Sequence, residues 1–228
     1  MKDLICIIPV SSFDDSKTRL SSLLSENERK ELLKAMLDDI INQVRNQVYD
    51  IVLVSSDDEV FEFANSKGVS FVKEQGHEDN RLNNALMDAI DSVKANYDNL
   101  DIMIIPSDVP MIKEEHVISA HNSTSDLVIS PSRGGGTNLL CFNSDFDYKP
   151  YFGDMSYFRH IDEAYYKNMD VNVIESFYLS LDVNTSQDLG EILLHAVGTA
   201  TYEYLAKLNI AVASSHGQER LDVKRDDE

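Results

Sequence analysis

The segment Asp101-Ile102-Met103-Ile104-Ile105-Pro106-Ser107-Asp108 constrains this 228-residue chain more than any other. Its apolar residues run on without alternation, and a strand of that kind needs cover on both faces, as in the middle of a parallel sheet. It also ends on Pro106 and delivers a carboxylate, Asp108, at its carboxyl end. Further strands are expected at 4–10, 51–54, 69–72, 127–130 and 139–142, and 171–182 reads as extended. Between them lie helix signals. Ser25 and Glu28 form a capping box ahead of Leu33, Met36, Leu37, Ile40, Ile41, Val44 and Val48 at helical spacing. Asp57 caps a short helix that Gly68 closes in the left-handed region. Leu82, Leu86, Ala89, Ile90 and Val93 mark a second long helix, and Thr185 opens another through Leu194, followed by a helical stretch at 199–208.

Strands alternating with helices of this length imply right-handed crossovers. The expected fold is α/β: a three-layer α/β/α sandwich with a mainly parallel, mixed, Rossmann-like sheet. It is expected to form one domain over 1–228, with a C-terminal helical appendage from about 190. The charged residues 218–228 are expected to fray.

Forty acidic side chains against 20 basic give a formal charge of −20, while 43% apolar residues suffice for a core and exclude a disordered acidic tail. That charge also excludes nonspecific nucleic-acid binding and makes an anionic membrane a poor partner. An anionic substrate would need a local basic patch or metal ions set against the protein's own field. Cys6 and Cys141 sit within apolar runs and read as buried, reduced thiols, not as a disulfide framework or a zinc site. No apolar stretch reaches membrane-spanning length, and the amino terminus lacks the form of a signal peptide. A cytoplasmic protein is expected.

Ligands of open α/β sheets sit beyond the carboxyl ends of the strands, which singles out the polar loops there. Lys17 and Arg19 follow the first strand and either clamp a triphosphate or are solvated charges at a helix entrance. Asp108 suits Mg²⁺ as a hard oxygen ligand, or else caps the helix near Glu114. Gly134, Gly135 and Gly136, with Arg133 and Thr137 beside them, allow backbone N–H groups to approach an anion, although such runs also mark hairpins. No Gly-Lys-Ser/Thr follows, so this is not a Walker A loop. Gly153 and Ser156 offer an N–H and a hydroxyl at a helix start, or Ser156 is an ordinary cap. His160 has no companion at ligand spacing and reads as a structural partner. Asp182 and Asn184 are two residues apart and point the same way in extended chain, so with Asp108 they form a candidate magnesium site. The plainer alternative is that Thr185 or Asp188 caps the next helix.

Five pieces then occur in one order: Lys17-Thr18-Arg19-Leu20, Leu82-Asn83-Asn84-Ala85-Leu86, Pro106-Ser107-Asp108-Val109-Pro110, Pro131-Ser132-Arg133-Gly134-Gly135-Gly136-Thr137-Asn138, and the segment from Phe152-Gly153 to His160. Together they resemble the 2-phospho-L-lactate guanylyltransferases of coenzyme F(420) biosynthesis, from Ile8-Pro9 through Leu189. The resemblance implies the nucleotide-diphospho-sugar transferase (GT-A-like) fold. It also implies a reaction joining GTP to a phosphorylated three-carbon acid, 2-phospho-L-lactate or phosphoenolpyruvate, with release of pyrophosphate. Carried over by residue, Asp108 and Asp182 match the metal-binding carboxylates. Thr137, Gly153 and Ser156, with Arg133 and Gly135, match contacts to the acid. Pro9, Ser11, Lys17 and Arg19 match the nucleotide loop, and Asn83 lies in the motif nearest the base. Two departures stand out: Ser11 occupies a position where many relatives have lysine, and Asp182-Val183-Asn184-Thr185-Ser186 replaces Asp-x-Asp-Thr-Pro, making the second ligand neutral.

The implied chemistry is in-line attack by the acid's phosphate on the α-phosphorus of GTP. A phosphomonoester with a second pKa of about 6 needs no general base. Mg²⁺ is the expected cofactor and Lys17 with Arg19 the expected stabilisers of pyrophosphate. A homodimer through 192–208 is expected. Two other readings remain: a related nucleotidyltransferase acting on a sugar phosphate or molybdopterin, and a non-catalytic nucleotide-binding module.

Overall fold

The computed structural model describes residues 3–14, 16–97, 100–213 and 222–225. The chain opens with β1 (Asp3–Pro9), then α1 (Glu26–Val44), β2 (Asp50–Ser55), α2 (Asp58–Lys67), β3 (Ser70–Lys73), α3 (Arg81–Asn96) and β4 (Leu100–Ile104). It continues through α4 (Glu114–His121), β5 (Leu127–Pro131), β6 (Thr137–Asn143), α5 (Ser156–Tyr166), β7 (Val171–Val173) and α6 (Phe177–Ser180). It closes with α7 (Ser186–His195), α8 (Ala200–Lys207), β8 (Ile210–Ala213) and β9 (Asp222–Arg225). Seven strands form one sheet in the order β3-β2-β1-β4-β6-β5-β7, and β8 and β9 pair separately. β1, β2, β3 and β4 are mutually parallel, while β6 runs antiparallel to both β4 and β5. The carboxyl ends of β1, β4 and β5 and the amino end of β6 therefore share one edge.

Alternation along β1 divides the core. Leu4, Cys6 and Ile8 face the layer that includes α1, α2, α4, α7 and α8, and Ile5 and Ile7 face α3 and α5. The uninterrupted apolar run at 102–105 is explained by this: Ile102 and Ile104 pack on one side, Met103 and Ile105 on the other, and all are fully buried. Cys6 and Cys141 are free and buried. Burial pushes both thiols far above the ordinary thiol range, with Cys141 adding to the effect on Cys6 and Asp101 to that on Cys141, so neither is a nucleophile at neutral pH.

The predicted caps are in place. Ser25 and Glu28 make the reciprocal box, Asp57 accepts from Glu59 N–H at the start of α2, and Gly68 closes α2 at φ 63°. Three expectations change. Helix α1 stops at Val44, leaving Val48 outside it. Residues 177–180 form a helical turn, α6, not extended chain, so only 171–173 pairs as a strand. Within the tail expected to fray, 222–225 pairs with β8, and the remainder lies outside the described residues.

Helix α8 is tied to α1 through a buried acid. Asp39 on α1 accepts hydrogen bonds from Ala200 N (2.7 Å), Thr201 N (2.8 Å) and Thr201 Oγ1 (2.6 Å), capping α8 from another element. Within the stretch offered for a dimer, Ile192 and Leu205 are buried in the α1-side core while Leu194 and Val197 are exposed. Asp39→Ala should strand the two N–H groups and destabilise the protein by about 2–3 kcal/mol, read as a lowered urea midpoint at unchanged m-value. A midpoint equal to wild type would show that α8 is held by apolar packing alone.

Candidate active site at the carboxyl edge of the sheet

The loop after β1 is held from behind. Ser12 Oγ and Phe13 N both donate to Asp57 Oδ2 at 2.9 Å, and Phe13 is fully buried against Phe63. Burial alone would raise the Asp57 carboxyl, but hydrogen bonds from Phe13, Glu59 and Ser12 and the charge of Lys30 outweigh it and hold it below the usual range. Arg29 clamps the far end through the carbonyls of Ser16 (3.1 Å) and Leu24 (3.0 Å). The result is a fixed turn in which Lys17 takes φ 52°, immediately before a 3₁₀ turn containing Arg19.

Lys17 Nζ donates to Asp108 Oδ2 at 2.6 Å and to Asn184 Oδ1 at 3.3 Å. Asn184 Nδ2 donates to Asp182 Oδ2, and Asn138 Nδ2 reaches Asp182 Oδ1 at 3.5 Å while bonding Leu179 O at 2.8 Å. Val183 N donates to the backbone carbonyl of Asp108 at 2.9 Å, stitching the two segments together main chain to main chain. Asp108 and Asp182 thus meet at one place. Burial first, then the charge of Asp108, pushes the Asp182 carboxyl upward, with Asn138 and Lys17 pulling the other way. Two carboxylates and an amide oxygen make a hard donor set with Lys17 as its present counter-charge. No group of three or more His, Cys, Asp or Glu side chains suited to a metal occurs among the described residues. A set of two carboxylates fits Mg²⁺, which keeps waters and draws further ligands from phosphates.

Beside this cluster a cavity of about 450 Å³ is lined by Pro9, Ser11, Ser107 and Asp108 at one end and by Glu74, Arg81, Leu82 and Ala85 at the other. Arg19 is exposed and forms no ion pair with a described residue. Asn83 is placed elsewhere. It is buried, donating to Asn80 Oδ1 and Phe152 O and accepting from Phe152 N, so it pins the loop before α5 instead of lining the cavity.

The remaining predicted residues gather around the β5–β6 hairpin. Arg133 pairs with Asp188, which also accepts from Asn184 N, Thr185 N and Thr185 Oγ1. Asp188 and Thr185 therefore do cap α7, while Asp182 and Asn184 stay available beside Asp108. Gly135 at φ +81° and Gly153 at φ +132° both need glycine's backbone freedom, and a Cβ on Gly135 would meet Met155 Sδ at 2.7 Å. Gly135 O accepts from Tyr157 N, joining the hairpin to the start of α5. Behind that surface Ser156 Oγ and Thr137 Oγ1 are 3.1 Å apart and Thr137 Oγ1 is 2.9 Å from His160 Nδ1. Tyr151 N donates to His160 Nε2 at 2.8 Å, which puts the ring proton on Nδ1. Ser156, Thr137 and His160 are all buried.

The family model described as guanylyl transferase CofC like matches residues 4–226. The chain belongs to the CofC-like family. The 2-phospho-L-lactate guanylyltransferase of Methanosphaera stadtmanae is 51% identical over 228 residues, covering all of both chains. That of Methanothermobacter thermautotrophicus is 46% identical over 96% of this chain and 97% of its own. Among solved structures, a Desulfovibrio desulfuricans chain described as a nucleotide-diphospho-sugar transferase superposes with TM-score 0.72 at 21% identity, covering 91% of this chain and 95% of that one. A nucleotidyl transferase from Methanothermobacter thermautotrophicus gives 0.59 at 14%, covering 91% of this chain and all of its own. Those two establish the fold expected from the strand pattern. In this CofC-like chain the sequence pattern did not bring forward Glu74 or Arg81, and it held Ser107 and Asn138 within motifs without assigning them a role. Glu74 directly follows β3 at the carboxyl edge of the sheet, where ligands of such folds sit, and Arg81 opens α3.

Burial lowers His160 from 6.5 to about 4. Between those values the unfolded chain binds the proton and the folded one does not, so stability is lost as pH falls through that window. The loss attributable to this ring is about 3 kcal/mol. Urea midpoints of wild type and His160→Gln compared at pH 7.5 and 4.5 should show the smaller drop in the variant. Parallel drops would remove His160 from the account.

Proposed function

We infer that this protein is a guanylyltransferase that joins GTP to 2-phospho-L-lactate and releases pyrophosphate, a step in building coenzyme F(420). The observation that carries it is the meeting of Asp108, Asp182 and Lys17 in one cluster, of which Asp108 also lines the cavity. It is supported by full-length relatives of that name at 51% and 46% identity. We place the reaction in the cytoplasm, in keeping with two buried reduced thiols.

The barrier is the repulsion of two anions and the cost of aligning them. Asp108 and Asp182, with Asn184, would hold Mg²⁺, which supplies charge neutralisation at the reacting phosphates. Lys17 then contributes as a point charge that moves from Asp108 toward the triphosphate oxygens, with exposed Arg19 next to it for the departing pyrophosphate. Ser11, at the cavity wall, offers a hydroxyl where a lysine would bring charge, which leaves Lys17 the main basic group of this loop. Gly153 and the Gly135 turn present the acid's corner, with Thr137 and Ser156 as hydroxyl contacts beneath it and Arg133 alongside. The attacking phosphate is already ionised near neutral pH, so the neutral, occupied His160 is not needed as a base.

Pyrophosphate release measured with GTP, 2-phospho-L-lactate and Mg²⁺ tests this, against phosphoenolpyruvate and sugar phosphates as competing acceptors. Release that requires the three-carbon acid is expected, and release only with a sugar phosphate would replace it. Asp108→Asn should lower kcat by more than tenfold, and chelation of divalent cations should abolish turnover. Near-normal activity of Asp108→Asn would exclude the metal-holding role.

A further inference from the structure

The far end of the cavity carries a charged pair that the reaction chemistry does not use. Glu74 directly follows β3, and its N–H donates to Ser55 O at 3.0 Å, so it extends the sheet by one residue beside β2. Its side chain is only 8% exposed. Arg81, the first residue of α3, bonds Glu74 Oε1 through both Nε and Nη2 and also bonds Ser56 Oγ. Both contacts use one carboxylate oxygen. Glu74 Oε2 makes no hydrogen bond with a described residue, although the residue lines the cavity. β3 is three strands from β4, roughly 14 Å across the sheet edge at about 4.8 Å per strand. A nucleotide with its phosphates near Asp108 and Lys17 therefore lays its base toward β2 and β3, where Leu82, Ala85 and Val10 supply apolar walls.

We propose that Glu74, held in place by Arg81, reads the Watson–Crick edge of guanine. This rests on the guanylyltransferase reading above and names the residue that sets its base preference. Guanine presents two adjacent donors, N1–H and the 2-amino group, which a carboxylate accepts side by side as it accepts a guanidinium fork. Adenine would turn its N1 lone pair toward the same carboxylate, an unpaired and repulsive arrangement. Arg81 keeps the carboxylate oriented, and its remaining donors suit the O6 acceptor next to N1. The acid's isolation from the solvent makes the recognition strong, because an analogue lacking one donor leaves a poorly solvated charged oxygen unsatisfied.

The test compares kcat/KM by pyrophosphate release for GTP, ITP and ATP with 2-phospho-L-lactate and Mg²⁺. ITP lacks only the 2-amino group. Wild type should prefer GTP to ITP by at least tenfold and reject ATP more strongly. Glu74→Gln, close to isosteric, should lower kcat/KM for GTP and bring the GTP to ITP ratio to within threefold of unity. A wild-type enzyme that turns over GTP and ITP equally would overturn the proposal, as would a Glu74→Gln variant that keeps the wild-type ratio. The wild-type ratio alone decides if the variant fails to fold. A wild type that releases no pyrophosphate from any triphosphate would instead remove the transferase reading, and this inference with it.

Discussion

Lys17 donates to Asp108 and reaches Asn184, Asn184 donates to Asp182, and Val183 N–H closes on the carbonyl of Asp108. These contacts bring together two acids that are 74 positions apart by number, one after β4 and one before α7. In a protein of net charge −20 that is an electrostatically unfavourable place for them. The upward push on Asp182 records the cost, part from burial and part from Asp108. A cation is what makes the arrangement sustainable, and in the free protein the ammonium of Lys17 fills that role.

The rest of the fold can be seen as the frame for this contact. Parallel pairing of β1 with β4 delivers the Lys17 loop and Asp108 at the same edge, and the antiparallel β6 turns the glycine hairpin back to it. Asp57 and Arg29 hold the Lys17 loop from behind, so its geometry does not wait for a ligand. Asp188 ties Arg133 on the hairpin to the start of α7, and with it to the segment carrying Asp182 and Asn184. Energy from ordinary caps and ion pairs is thus directed at positioning a few polar atoms, as preorganised electrostatic sites require.

The strands and most helix limits could be seen in advance because their signals are local. Glu28 follows Ser25 by three residues, Gly68 follows α2, and the apolar run at 102–105 needs burial on both faces. Residues 177–180 read as extended because Phe177 and Tyr178 favour strands, whereas the folded chain forms a single helical turn there with Leu179 packed into the core. The motif around Asn83 implies a place near the base, but only the folded chain shows that its amide is committed to Phe152. Glu74 and Arg81 carry no distinctive spacing. They acquire meaning from the sheet order, which sets the end of β3 and the start of α3 around one cavity.

If the paired acids depend on a cation, the dependence has a thermodynamic signature that does not require turnover. The most direct measurement is the thermal midpoint of Lys17→Met against wild type, each with and without millimolar Mg²⁺. Loss of the ammonium should lower the midpoint in metal-free buffer, and Mg²⁺ should recover most of that loss, raising the variant more than it raises wild type. Equal shifts for the two proteins, or none for either, would contradict the idea that Asp108 and Asp182 form one cation-requiring centre.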